Sequence, residues 1–150
     1  MQTIITELEN IINKYIPLLN NLTEEKTSHK PAPGKWSKKE LIGHLIDSAQ
    51  NNIRRFIVAQ YEEKPAISYA QDHWVRAADY ENYPLIDLYR LWILINLHMI
   101  RVLKNIPAGM EKREVQTEAL HSIEWLASDY NKHLLHHLHQ VLDLEERPYP

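Results

Sequence analysis

Histidine is over-represented in this chain and unevenly placed. Nine occur in 150 residues, and four of them, His133, His136, His137 and His139, fall within one short stretch. Neutral imidazole is the commonest protein metal ligand. Two imidazoles four residues apart on a helix lie one turn apart on the same face, as His133 and His137 do. That spacing is the H-x-x-x-H half of the zincin motif. The zincin general base is missing, because Leu134 stands where its glutamate would be, which disfavours that kind of peptidase chemistry. The chain has no cysteine. It therefore offers no thiolate ligand or cysteine nucleophile, and any thiol chemistry needs a thiol from outside.

A helical wheel at about 100° per residue separates the clustered histidines. Ile123, Leu126, Tyr130, Leu134 and Val141 mark one apolar face. His137 lies within it and His133 at its edge, while His136 projects to one side and His139 to the opposite, solvent side. The inward pair is thus the pair with ligand spacing. Without a metal, the same two rings would need backbone carbonyls or carboxylates as partners, and the wheel leaves both readings open. A third ligand has to come from another element. His44 is a candidate, since it shares a polar stripe with Ser48, Asn51 and Arg55 at helical spacing; an ordinary surface histidine is the alternative. His29, His73, His98 and His121 are isolated and read as ordinary histidines.

Four long helices are expected to position these residues. The first covers about 3–19, with Ile4, Ile5, Leu8, Ile11, Ile12, Tyr15 and Leu18 at helical spacing. A Pro- and Gly-containing linker, 29–36, ends any helix there. Ser37 and Glu40 form a capping box, with Trp36 and Leu41 as a hydrophobic staple, and open a second helix that runs to about Tyr61. Residues 65–83 form a long connection of weak periodicity with room for a short helix, the kind that often covers a site. A third helix is expected from Pro84 to about Lys104, stopped by Pro107 and Gly109. Residues 108–121 are polar and unassigned. Ser122 is the expected N-cap of a fourth helix reaching about Leu142, and the tail EERPYP is expected to be irregular. No strand signal is visible. The expected architecture is all-α, one four-helix bundle domain over 1–150 with long inter-helix connections.

Composition excludes several functions. Hydrophobic residues make up 44% and charged residues 25%, with a formal net charge of −3. That balance lacks the basic surface on which nucleic-acid affinity depends. The most apolar run, 91–100, falls short of the roughly 20 residues a membrane span needs. The first residues show no signal-peptide pattern, so a cytoplasmic protein without membrane or nucleic-acid partners is expected.

Three segments carry a family resemblance. PAPGKWSKKELIGHLIDSAQNNIRRF (31–56), YAQDHWVRAADY (69–80) and DYNKHLLHHLHQV (129–141) together resemble the DinB superfamily, in its YfiT-like branch. The resemblance spans nearly the whole chain. It implies a DinB/YfiT-like four-helix bundle, a homodimer, and one divalent metal ion on three histidines. Matched position by position these are His44, His133 and His137, with His136 at the family's non-ligating middle position. Zinc and nickel both suit three imidazoles. Three ligands leave a coordination position open, as in catalytic zinc sites. The resemblance implies chemistry on a small-molecule substrate, either metal-dependent hydrolysis or S-transfer with a low-molecular-weight thiol as co-substrate. A non-catalytic metal-binding or ligand-sensing bundle is the alternative. Asp47, three residues after His44, is positioned to orient a ligand or act as a base, or else is a solvent-facing carboxylate. Asp129, one turn before His133, has the same ambiguity. Asn51, Arg55 and Trp74 are candidate substrate-pocket residues, and Tyr80 a candidate pocket cover.

Overall fold

The computed structural model describes residues 1–149. Four long helices carry the architecture: α1 (Gln2–Asn20), α3 (Lys38–Val58), α5 (Leu85–Lys104) and α6 (Ile123–Val141). Two short helices, α2 (Glu24–Ser28) and α4 (Gln71–Ala77), lie in the connections. The most extensive packing joins α3 to α5 and α6, and α1 to the same two helices. Around the bundle the order is therefore α1, α5, α3, α6, and the first two long helices sit on a diagonal.

Each long helix turns an apolar stripe inward. Leu8, Ile12 and Tyr15 come from α1, Ile42, Leu45, Ile46 and Phe56 from α3, Leu88, Trp92 and Met99 from α5, and Leu134 and Leu138 from α6, all fully buried. Burying a side chain of this size contributes roughly 1.5–3 kcal/mol, enough in sum to order the connections. Polar bonds also cross the interior, among them the one the Tyr130 hydroxyl donates to Asn96 Oδ1 at 2.6 Å. No helix of the described residues is long and apolar enough to cross a membrane.

The capping box at the start of α3 is present in both halves. Ser37 Oγ accepts from the Glu40 N–H, and the Glu40 carboxylate accepts from the Ser37 N–H. Ser122 caps α6 by accepting from the Trp125 N–H. These two caps fix where the site-bearing helices begin.

Several sequence expectations are corrected. The second long helix ends at Val58, three residues before Tyr61. Pro84 is the N-cap of α5 rather than its first helical residue. The polar stretch 108–121 holds a small antiparallel hairpin, β1 (Glu114–Gln116) and β2 (Leu120–Ser122). Strands of three residues are too short for alternation to register as a pattern. Arg113 anchors the hairpin to the end of α3, donating to the carbonyls of Ala59 and Glu62. The Ile67 N–H donates to the Gln116 carbonyl, and the Gln116 N–H to that of Pro65. The long connection is thereby pinned, and it contains α4 and a single 3-10 turn, Tyr80–Asn82. His139 is buried rather than solvent-facing, because α1 and the tail cover that side of α6: Tyr15 and the Glu145 carbonyl bond its two ring nitrogens. The tail through Tyr149 is irregular, and Pro150 lies outside the described residues.

Candidate metal centre

His44 stands nearly two turns inside the N-terminus of α3, and His133 and His137 stand on the facing side of α6. His44 and His133 are 89 positions apart in sequence, and the packing of α3 against α6 brings their Nε2 atoms to 3.0 Å. His137 completes a triangle, its ring centre 5.0 Å from that of His44 and 4.6 Å from that of His133. One nitrogen from each ring lies within 4.8 Å of the others. Zinc–imidazole bonds of about 2.0–2.1 Å at tetrahedral angles put ligand nitrogens about 3.3 Å apart. The triangle therefore fits a metal site. Among the described residues this group contains only the three histidines, with no carboxylate as a fourth member.

Hydrogen bonding explains why only two of the four clustered histidines on α6 can contribute. His136 has both nitrogens in use: Nδ1 donates to the Arg147 carbonyl, and Nε2 accepts from the Gln140 amide. His139 is likewise saturated by Glu145 and Tyr15. The Gln140 amide oxygen can only accept, so at 2.7 Å it places the His137 proton on Nδ1 and leaves the Nε2 lone pair free. His133 has Ser48 Oγ 3.4 Å from its Nδ1. Burial, with the neighbouring His137 adding to it, pushes His44 down to about 4. Burial also lowers His133, with His137, His44 and His136 each adding to the effect. His137 is lowered by burial too, against the pull of Gln140. All three rings are held in the neutral form that ligates metals.

A polar layer surrounds the triangle. Trp36 packs against the His44 ring, 5.1 Å between centres. Asp47 is buried, and its Oδ1 accepts from the Tyr80 hydroxyl at 2.6 Å. Burial raises Asp47 to about 6, with the Tyr80 bond opposing the rise. Tyr80 reaches this position because residue 43 is glycine: a Cβ there would overlap the tyrosine ring. Two buried atoms in this layer, His44 Nδ1 and Asp47 Oδ2, have no hydrogen-bond partner.

The remaining predicted residues stand further out. Asn51 is buried and donates to the Asp47 carbonyl of its own helix. The Arg55 guanidinium holds the connection, donating to the Ile67 carbonyl and to Asn52 Oδ1. Trp74 packs edge-on against Tyr69, 5.6 Å between centres, and Tyr69 neighbours Ser48. Asp129 accepts from the Tyr149 hydroxyl at 2.7 Å. Sequence reasoning missed Tyr69 and Tyr149 at the site, and it read Trp36 only as a staple. An aromatic outside a periodic segment gives no signal of what it will cover.

The chain belongs to the DinB superfamily, whose family model matches residues 7–141. It is similar to a Bacillus mycoides (strain KBAB4) protein named "putative metal-dependent hydrolase", with 26% identity over 148 residues, 95% of this chain and 84% of that protein. A Halalkalibacterium halodurans protein of the same general name is 27% identical over 146 residues, covering 94% of this chain and 84% of that protein. Among solved structures, YfiT from Bacillus subtilis matches with a TM-score of 0.84 at 21% identity, over 95% of this chain and 83% of that one. That protein is described as "a probable metal-dependent hydrolase with an unusual four-helix bundle topology", and the match shows a shared fold.

Proposed function

We propose that this chain is a metal-dependent enzyme that hydrolyses a small molecule, with His44, His133 and His137 holding one divalent ion. The observation that carries this reading is the triangle of neutral imidazoles with no fourth protein ligand in its group among the described residues. A closed structural site would use four protein ligands; three leave a position for substrate or water. A divalent ion so held supplies Lewis acidity there and can bring the pKa of a water close to neutrality.

The chain's own residues prepare that position. His137 is fixed in its Nδ1–H tautomer by Gln140. Asp47, three residues after His44, is assigned the role of its outer carboxylate, the partner that ligating histidines commonly have; His44 Nδ1 and Asp47 Oδ2 are both buried without a partner of their own. Tyr80 holds the other Asp47 oxygen in place. Asn51, Arg55 and Trp74 are assigned as the residues that meet the substrate. The names of the relatives support hydrolysis over S-transfer. With no cysteine in the chain, S-transfer would need a low-molecular-weight thiol as co-substrate. Zinc and nickel are among the ions the donor set suits. The exposed Ile86, Leu94 and Leu97 on α5 support a homodimer, and we place the protein in the cytoplasm.

The test is metal content and metal-dependent turnover of protein purified without an affinity tag. About one equivalent of zinc or nickel is expected, with hydrolysis in an ester and amide panel that chelation abolishes and readdition restores. Protein that takes up no ion from excess zinc or nickel would overturn the reading. Turnover only with an added thiol would move it to S-transfer.

A further inference from the structure

The tail returns to the site. After α6 ends, the chain doubles back along it, and two of the clustered histidines hold it there: His139 Nδ1 donates to the Glu145 carbonyl at 2.7 Å, and His136 Nδ1 donates to the Arg147 carbonyl. Both bonds use nitrogens that α6 presents for no other purpose. They deliver Tyr149 onto the triangle. Its ring lies edge-on against His133, 5.2 Å between centres, and 5.9 Å from His136. Its hydroxyl is bonded to Asp129, and the ring is half-buried.

We propose that residues 145–149 form a strap and that Tyr149 is a specificity-determining wall of the histidine site, closing the His133 side until its ring swings off Asp129. The closure is held by few polar contacts, the bonds to His139, His136 and Asp129, with the Tyr149 ring packed on His133 and His136. Contacts of that number permit local opening without unfolding of the bundle. A molecule bound on the His133 side must therefore fit beside a tyrosine ring or displace it, which favours flat or small groups over branched ones. That consequence for substrates rests on the metal-dependent reading above; the closure itself does not.

The cysteine-free chain makes the closure measurable without metal. Ser48→Cys places a thiol beside His133, where Ser48 is buried. In EDTA, iodoacetamide should alkylate this variant slowly. Tyr149→Ala in the same background should speed alkylation about tenfold, and Tyr149→Phe about threefold, the latter reflecting loss of one hydrogen bond to a carboxylate. Ending the chain after Glu146 should match the alanine variant. Equal rates in all four backgrounds would overturn the proposal. Should Ser48→Cys fail to fold by circular dichroism, the His133 ring-proton shift gives a second measurement. It moves on Tyr149→Leu if the ring covers it, and an unchanged shift would overturn the proposal equally. Faster alkylation in a chain that binds no metal would keep the strap and remove only the hydrolase reading.

Discussion

Tyr80 reaches Asp47 through a gap that only a glycine leaves. The ring lies where the Cβ of residue 43 would be, and its hydroxyl meets Asp47 Oδ1 at 2.6 Å. Residue 43 directly precedes His44, so the same turn of α3 carries the candidate ligand, the gap and the carboxylate. Gly43→Ala should displace Tyr80 and cost about 1–3 kcal/mol, as overpacking in a core does. Urea unfolding checks this. Paired with Tyr80→Ala, the loss should be smaller than the sum of the single losses, since both variants break the same contact.

Loss of a single histidine should abolish metal binding without unfolding the bundle. Metal content of His44→Ala and His137→Ala is expected to fall from about one equivalent to near zero. Thermal unfolding should show a zinc-induced rise in Tm for the parent and none for either variant, because a ligand stabilises only the state that binds it. His136→Ala should retain the ion, since both nitrogens of that ring are already bonded within the protein.

Asp47 gives a pH signature with a definite sign. Its folded pKa is raised from 3.8 to about 6, so the folded chain holds this proton more tightly than the unfolded chain. The associated stability is fully present below about pH 3.8 and is lost as the pH rises through about 6. Asp47→Asn cannot ionise and should gain on the parent across that window, by at most about 3 kcal/mol. The histidines titrate in both proteins and cancel in the difference. A difference in stability that stays flat between pH 4 and 7 in metal-free protein would show that Asp47 is not held neutral.

The exposed apolar row on α5 predicts assembly. Ile86, Leu94 and Leu97 are all more than 40% exposed, and charges placed there should oppose self-association. Light scattering is expected to give a dimer for the parent and a monomer for a Leu94→Lys, Leu97→Glu variant of unchanged helicity. A monomeric parent would remove the dimer from the proposal.

The sequence was informative where periodicity and capping act. Ser37 with Glu40, and Ser122, mark the starts of the two site-bearing helices, and the wheel of α6 turns His133 and His137 inward. The same wheel misplaced His139, because it assumes one buried face, whereas α6 is covered by α3, by α1 and by the tail. The hairpin at 114–122 was too short to show a period, and α2 sits in a segment with no apolar stripe. Tyr149 was unreadable for another reason: its position depends on the histidines of α6 capturing backbone carbonyls, an interaction indifferent to which residues carry those carbonyls.

The 89-position separation of His44 from His133 also bears on how the chain reaches its folded state. The first ligand is made well before the other two, so the triangle cannot form until α6 has docked. An ion held there ties two remote points of a chain that has no disulfide, and it stabilises the docked state alone, because only that state offers all three rings. Metal uptake would then report completed folding, and a chain cut short before α6 would have no means of retaining the ion.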